Sequence, residues 1–155
     1  MAIVISAEQL QIIYTHAINI YPEECCGILL GKIDKADKKI IEVIPTINAW
    51  GETELVADLE IADELVRTKN SRYAIAPQDI FQAQKRARSL QLEIMGFFHS
   101  HPDNPAIPST CDRDRAWLVY AYPIVSVIQG KVRDIKSWVL DSDGKFQPEE
   151  IQQIG

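Results

Sequence analysis

The chain has 155 residues, of which 46% are hydrophobic and 25% charged, a balance typical of one soluble domain with a sizeable core. The formal net charge of −6 argues against a nucleic-acid-binding protein, because phosphate contacts require a basic face. Three cysteines form no disulfide framework, and no apolar run reaches membrane-spanning length. We therefore expect a single domain over residues 1–155, located in the cytoplasm and not bound to a membrane.

The first third of the chain predicts a strand, a helix and a hairpin. Ile3 to Ile5 is a short apolar strand, and Ser6 with Gln9 forms a capping box for a helix from Ala7 to Ile20. Two further strands joined by a charged turn follow, with the strands at Cys26 to Gly31 and Ile40 to Ile47 and the turn at Asp34 to Asp37.

Helical periodicity dominates the middle of the chain. Between Glu52 and Lys69, apolar residues recur at spacings of three and four, which predicts an amphipathic helix within a helical insertion at 51–72. A second helix is predicted from Gln78 to Leu90, immediately after Pro77. Its basic run Lys85 to Arg88 indicates a solvated face, or alternatively a patch for an acidic protein partner.

The last third predicts a buried strand, a helix and two closing strands. The apolar run Leu92 to Phe98 is a buried strand, and Ser109 is positioned to cap a helix from Thr110 to Tyr120. The closing strands are expected at Pro123 to Gln129 and Asp134 to Leu140, and a turn at Asp143-Gly144 leads into a short tail. Strands and helices thus interleave around one sheet.

The strongest chemical signal is a pair of histidines at the end of the buried strand. His99 and His101 account for two of the three histidines, and only Ser100 separates them. Because strand side chains alternate between faces, both imidazoles point the same way, about 7 Å apart along the backbone. The spacing predicts that both imidazoles bind one metal ion.

A hydrolytic zinc site usually has three protein ligands and leaves the fourth position to water. The nearby candidates for the third ligand are Asp103, Cys111, Asp112 and Asp114. Asp112 is favoured because it lies in the first turn of the predicted helix, where it faces back toward the strand end. Taken alone, the Ser-x-x-Asp sequence is also an ordinary helix-capping pattern. Its fixed distance from two histidines is what favours a metal site.

These residues carry a family resemblance. The pattern His99-x-His101-Pro102 followed by Ser109-x-x-Asp112 resembles the signature of the JAMM (MPN-plus) zinc metallopeptidases. The segment from Glu24 to Gly31 resembles the upstream Glu-x-Cys-Gly-Ile-Leu-x-Gly element of that family. The resemblance extends from about Ile3 to Leu140 and includes Asn48 and the Tyr-x-Ile-x-Pro sequence that begins at Tyr73.

The resemblance implies both a fold and a set of roles. The expected fold is α/β in the α+β sense: a single MPN/JAMM-type domain with a mixed, curved β-sheet flanked by helices in a cytidine-deaminase-like arrangement. One Zn²⁺ per chain is expected on His99, His101 and Asp112. Glu24 is then the general base, and Ser109 donates a hydrogen bond to the oxyanion.

The implied activity is amide hydrolysis by a zinc metallopeptidase or isopeptidase. The implied partner is a ubiquitin-like sulfur-carrier protein, or another protein with a flexible Gly-Gly tail, because glycine lets a backbone pass close to a metal. Two alternatives stay open: a peptidase acting on small peptides or amino-acid conjugates, and a non-catalytic MPN scaffold.

Other chemistries fit the sequence less well. The helical His-Glu-x-x-His site is absent, and His-Ser-His does not match the His-x-Glu of the zinc deaminases. A thiol enzyme would need a reactive cysteine. Cys25 and Cys26 lie at an apolar strand entry, where buried, unreactive cysteine is the commoner state.

Overall fold

The computed structural model describes residues 1–51 and 69–155, so the helix predicted between Glu52 and Lys69 lies almost entirely outside the described residues. The described ranges contain seven strands and three helices. The strands are β1 (Ala2–Ser6), β2 (Cys26–Asp34), β3 (Asp37–Thr46), β4 (Glu93–Pro102), β5 (Tyr122–Ile128), β6 (Lys131–Leu140) and β7 (Phe146–Ile154). The helices are α1 (Ala7–Ile20), α2 (Pro77–Ser89) and α3 (Thr110–Arg115).

The strands form one closed, mixed barrel in the order β1-β3-β2-β4-β5-β6-β7. β1 pairs in parallel with both β3 and β7, and β4 pairs in parallel with β5, whereas the other neighbours are antiparallel. The mixed sheet with flanking helices agrees with the expected α+β class. The sequence predicts only a curved sheet, whereas the structure closes it into a barrel. The barrel closes because β7 pairs with both β6 and β1.

The start of the fold follows the predicted local signals. Ser6 accepts a hydrogen bond from the Gln9 backbone and the Gln9 side chain accepts one from the Ser6 backbone, so the predicted capping box is confirmed. The hairpin between β2 and β3 turns at Lys35 and Ala36, which both have positive φ. Two positive φ values are the geometry of a type I′ turn, whose twist matches that of the flanking strands.

The two faces of the sheet bury different helices. Leu10, Ile13 and Ala17 of α1 pack into a cluster that also contains Leu29 of β2 and Phe98 of β4. On the other face, Ala83 and Ala87 of α2 pack against Ile28 and Leu30 of β2. The alternation of residues 28, 29 and 30 between these clusters is the period of two that a strand requires.

Two predictions for the end of the chain were wrong. α3 ends at Arg115 rather than Tyr120, because the chain must turn back to place β5 parallel to β4; the Trp117 N–H then donates to the Tyr122 hydroxyl at 2.8 Å. The expected tail is strand β7, which pairs with β1 over five residues. Its buried Glu149 accepts from Lys38 at 2.7 Å. In the described part of the chain, no helix is both long and apolar enough to cross a membrane.

Candidate metal centre

β4 presents both histidines at one point of the barrel. The strand runs to Pro102 and so includes His99 and His101, which are both buried. Their Nε2 atoms lie 3.1 Å apart. Both rings therefore lie on the same face of β4, as predicted, and their Nε2 atoms point to the same place.

The third group of the cluster comes from α3. Ser109 caps this helix by accepting a hydrogen bond from the Asp112 backbone at 3.0 Å, and the Asp112 carboxylate accepts from the Ser109 N–H at 2.9 Å. This capping box turns the carboxylate back toward β4. Asp112 Oδ2 lies 3.1 Å from Nε2 of His101 and 3.2 Å from Nε2 of His99. The same capping box therefore begins α3 and places the Asp112 carboxylate beside the two histidines.

The three atoms form a nearly equilateral triangle whose size can be compared with a zinc site. Its edges are 3.1, 3.1 and 3.2 Å. Tetrahedral ligands at zinc distances of about 2.0–2.2 Å are separated by about 3.3–3.6 Å, slightly more than these edges. Two nitrogens and one oxygen are also ordinary zinc donors. The donor set and its dimensions therefore fit zinc.

Hydrogen bonding fixes the tautomer of His101. Its Nδ1 lies 2.8 Å from the carbonyl oxygen of Pro105, which can only accept, so Nδ1 carries the proton. In the neutral ring this leaves the Nε2 lone pair pointing toward Asp112 and His99. A carbonyl that holds the remote N–H is the usual outer support of a histidine ligand.

His99 packs against an aromatic ring. Its ring stacks on Tyr73 with centroids 4.4 Å apart, and burial lowers the pKa of the imidazole, which favours the neutral form. Nδ1 of His99 is buried and has no hydrogen-bond partner among the described residues. The ring is held by stacking rather than by the carbonyl contact that holds His101.

Glu24 is the fourth chemical group at this point. A carboxylate oxygen of Glu24 lies within 4.8 Å of ring nitrogens of both histidines, and the residue is only 5% exposed. Burial raises the pKa of the Glu24 carboxyl to about 8. For Asp112, burial also raises the pKa, but the two imidazoles outweigh it and hold the pKa well below its usual range. The two carboxyl groups thus differ strongly in proton affinity.

Asp112 and Glu24 both lie beside the histidines. The Asp112 carboxylate is 3.1 and 3.2 Å from their Nε2 atoms, and a Glu24 carboxylate oxygen is within 4.8 Å of ring nitrogens of both. With His99, His101 and Asp112 as the three ligands, the Glu24 carboxylate is available to the water that takes the fourth position. Glu23, its neighbour, is exposed and lies outside the cluster.

The backbone around Glu24 is held by a buried asparagine. Asn48 Nδ2 donates to the carbonyl oxygens of Glu24 at 2.9 Å and Arg72 at 3.0 Å. Its Oδ1 accepts from the backbone N–H of Trp50 at 3.0 Å and Ala74 at 3.2 Å. Both N–H groups and both lone pairs of the amide are therefore used. In the sequence, Asn48 is only part of the family resemblance, and no local pattern indicates this role.

The residue between the two histidines holds the other side of Glu24. The backbone N–H of Cys25 donates to Ser100 Oγ at 2.8 Å, and the Ser100 N–H donates to the Cys25 carbonyl at 3.1 Å. Ser100 is fully buried. It therefore ties the segment that carries Glu24 to the strand that carries the histidines, a role that the sequence analysis did not identify.

An open cleft of about 250 Å³ lies beside the cluster. It contains the predicted base Glu24, the ligand candidate His101 and the predicted oxyanion donor Ser109. Its lining residues are Glu24, Ser71, Arg72, His101, Asn104, Pro105, Ile107 and Ser109. The hydroxyl oxygen of Ser109 accepts the Asp112 N–H, and a hydroxyl that accepts in this way keeps its own hydrogen for donation.

Two of the other ligand candidates have different partners. Asp103 accepts from the Tyr21 hydroxyl and the Gln129 N–H, and exposed Asp114 pairs with Arg113 at 3.7 Å. Cys25 and Cys26 are buried, and burial raises the pKa of each thiol to about 12. These two cysteines are therefore unsuited to thiolate chemistry, as the sequence analysis expected.

Comparison with solved structures supports the fold. A Desulfitobacterium hafniense protein determined in solution is 27% identical, with a TM-score of 0.77, and the match covers 98% of this chain and 92% of that one. A Salinibacter ruber protein is 30% identical, with a TM-score of 0.69 over 99% and 92% of the two chains. A JAB1/MPN domain protein from Archaeoglobus fulgidus shares the fold at 17% identity, with a TM-score of 0.52 over 100% and 97%.

Curated relatives match over shorter stretches. A desampylase of Haloferax volcanii is 28% identical over 106 residues, which are 68% of this chain and 63% of that protein. A desampylase of Pyrococcus furiosus is 28% identical over 79 residues, or 51% and 54%. The matched stretch thus covers less than two thirds of either relative. The family model for prokaryotic homologues of the JAB domain matches residues 6–141, and the chain therefore belongs to this family.

Proposed function

We propose that this protein is a zinc-dependent metallopeptidase of the JAMM type that cleaves the amide bond after a C-terminal Gly-Gly of a ubiquitin-like protein. A sulfur-carrier protein of this kind is the proposed substrate. The observation that carries the proposal is the triangle of His99, His101 and Asp112 at zinc dimensions, with Glu24 buried beside it. Family membership and the name desampylase, which two relatives carry, support a deconjugating hydrolase.

In this proposal, His99, His101 and Asp112 hold the zinc. Zinc, when bound, supplies Lewis acidity that lowers the pKa of a coordinated water and polarises a carbonyl. Glu24 accepts a proton from the attacking water and delivers it to the departing amine nitrogen as the C–N bond breaks. The carboxylate thus moves one proton and is restored at the end of each cycle.

Ser109 has two functions in the proposed reaction. Its oxygen accepts the Asp112 N–H and so holds the first turn of α3, which carries the Asp112 carboxylate. Its O–H donates to the oxygen of the scissile carbonyl as negative charge develops there, an interaction typically worth about 3–4 kcal/mol in the transition state. Loss of the hydroxyl therefore affects both ligand placement and the chemical step.

The form of the cleft supports a flexible tail as substrate. The cluster lies at the wall of a cavity of about 250 Å³, and the histidines are buried. Glycine has no side chain to collide with such a wall, so a Gly-Gly sequence can bring its carbonyl close to buried groups. A bond within a folded domain would not reach these groups.

The test is the intact mass of a ubiquitin-like sulfur-carrier protein that ends in Gly-Gly followed by a short extension. We expect the zinc-loaded protein to remove the extension after the second glycine, and Glu24→Gln to leave it in place. Glu23→Gln is the matched control and should cleave normally, because Glu23 is exposed and outside the cluster. An unchanged carrier mass with zinc verified on the protein would refute the proposed substrate, and inactivity of Glu23→Gln alone would refute the assignment of the base.

A further inference from the structure

Three consecutive backbone carbonyls in the loop after β4 each accept a hydrogen bond from a side chain. The acceptors are the carbonyl oxygens of Asn104, Pro105 and Ala106, and the donors, in the same order, are Ser126 Oγ at 2.6 Å, His101 Nδ1 at 2.8 Å and Trp138 Nε1 at 3.1 Å. We call these three hydrogen bonds the carbonyl clamp. Its middle bond is the one that fixes the tautomer of His101, a ligand candidate of the metal centre.

The three donors come from three neighbouring strands of the barrel. β4 carries His101, β5 carries Ser126 and β6 carries Trp138. In the parallel pairing of β4 with β5, Ser126 is the register partner of His101, so the two side chains leave the sheet on the same face. β5 pairs in turn with β6. The barrel therefore brings together donors that lie far apart in the sequence.

The sequence of the loop makes its shape depend on these donors. Pro105 and Pro108 have no N–H, so the segment cannot form a regular pattern of backbone hydrogen bonds. The proline ring fixes φ of Pro105 at about −65° and also favours an extended conformation for Asn104. With these torsions restricted, a donor on each neighbouring carbonyl limits the remaining rotations. The direction of the Pro105 carbonyl is therefore set by the two outer bonds of the carbonyl clamp.

The two outer bonds lie in protected positions. Ser126 and Ala106 are buried, and Trp138 is half-buried. A buried hydroxyl or indole N–H needs a hydrogen-bond partner, and the loop supplies it in both cases. Removal of either donor therefore leaves a carbonyl next to Pro105 without its side-chain partner.

The loop that carries the carbonyl clamp also forms other parts of the site. Asn104, Pro105 and Ile107 line the cleft beside the cluster. Further along the chain, the loop ends at Ser109, the residue that caps α3. A loop released from the carbonyl clamp would therefore free the His101 ring and shift the wall of the cleft at the same time.

We propose that Ser126 and Trp138 are positioning residues of the metal centre. By holding the carbonyls on either side of Pro105, they keep its carbonyl directed at Nδ1 of His101 and thereby keep Nε2 of that ring directed at the metal position. This inference rests on the proposed function, and it extends the support of a zinc ligand from the acceptor of its N–H to the residues that hold that acceptor. Residues that orient a metal ligand typically contribute about ten- to a hundredfold in metal affinity.

The experiment compares variants of the full chain that each lose one buried donor. Ser126→Ala and Trp138→Phe delete the two outer bonds of the carbonyl clamp, and the second retains an aromatic ring. The matched control is Ser137→Ala, which deletes a buried hydrogen bond from Ser137 Oγ to Glu149 at 3.2 Å. Ser137 precedes Trp138 on β6, and because strand side chains alternate between faces it points away from the loop. Urea unfolding of the metal-free chains records the loss of stability for each variant.

Zinc affinity is measured by competition with a chelator. We expect Ser126→Ala and Trp138→Phe to weaken zinc binding by about tenfold, the lower end of the usual range, because each leaves the other outer bond in place. Ser137→Ala should bind zinc within about twofold of the unmodified protein, because distant sites without shared partners act independently. An affinity equal to that of Ser137→Ala for either variant would overturn the assignment of that residue.

A second measurement separates this inference from the proposed function. If the unmodified chain binds no zinc, the proposed function fails, and the carbonyl clamp is then tested on the metal-free protein by NMR of the imidazole N–H groups. The chain has only three histidines, so the signal of His101 can be assigned by single substitutions. Exchange of its Nδ1 proton with solvent should be about tenfold faster in Ser126→Ala and Trp138→Phe than in Ser137→Ala, because local opening of the loop exposes it. Equal exchange in all three variants would overturn the inference.

Discussion

The backbone N–H of Cys25 donates to the hydroxyl of Ser100 at 2.8 Å, and the Ser100 N–H returns a hydrogen bond to the Cys25 carbonyl at 3.1 Å. This reciprocal pair joins the residue after the proposed base to the residue between the two histidines. The Ser100 side chain therefore adds a link between base and ligands beyond the backbone pairing of Cys26 with His99.

Ser100→Ala should lower kcat while zinc remains bound, because it removes the acceptor for the Cys25 N–H and loosens Glu24 relative to β4. A buried N–H left without a partner costs about 1–3 kcal/mol. Ser100→Thr retains the hydroxyl and should recover much of the lost rate. The measurement is kcat and KM for the carrier alongside zinc content; equal kcat for Ser100→Ala and the unmodified protein would rule out the positioning role.

Asn48→Ala should destabilise the protein and reduce turnover. The substitution removes the Asn48 hydrogen bond from four backbone groups around Glu24, at a cost of about 1–3 kcal/mol for each buried group that neither water nor another partner satisfies. Asn19→Ala, on the exposed side of α1, is the matched control and should change stability little. Urea unfolding of both variants measures the difference, and similar midpoints for the two would contradict the role of Asn48.

Gly96→Ala should impair folding, because a Cβ at this position would lie 2.1 Å from the backbone carbonyl oxygen of Ala121. The backbone there joins β4 to the start of β5, so relief requires that the barrel open, at a cost of about 3 kcal/mol or more. Gly144→Ala, in open space with φ of +77°, should cost only about 1–2 kcal/mol. Thermal unfolding of both variants compares the two costs, and a smaller loss for Gly96→Ala would show that the close approach is unimportant.

Cys25 and Cys26 should resist alkylation at pH 8 in the folded protein. Each thiol is buried and has a pKa raised to about 12, so very little reactive thiolate is present at that pH. Iodoacetamide should modify both only after denaturation, while half-buried Cys111 provides an internal comparison. Mass spectrometry of peptides follows each site, and rapid labelling of Cys25 or Cys26 in the folded chain would revive a thiol mechanism.

Local signals predicted those parts of the structure that depend on a few neighbouring residues. The capping box of Ser6 and Gln9 begins α1 as expected, and the alternation of His99 and His101 places both rings on one face. Ser109 and Asp112 cap α3 and approach the histidines because the box itself turns the carboxylate. These relationships are short-range and therefore visible in the sequence.

Features that depend on distant pairing were missed. β7 contains Pro148 and few apolar residues. It is a strand because β1 and β6 offer partners, and because Glu149 meets Lys38 of β3 across the intervening strand β1. α3 stops at Arg115 because β5 must lie parallel to β4. The roles of Asn48 and Ser100 likewise require knowledge of which backbone segments lie side by side.

Zinc binding by the His99, His101 and Asp112 triangle can be measured on the reconstituted chain by native mass spectrometry of the unmodified protein, His101→Ala and Asp112→Asn. We expect one zinc ion per unmodified chain and none on either variant, since each loses a corner of the triangle. Asp114→Asn, an exposed neighbour, should keep the metal. An unmodified chain that binds no zinc, or a His101→Ala chain that keeps it, would show that these residues are not a zinc site.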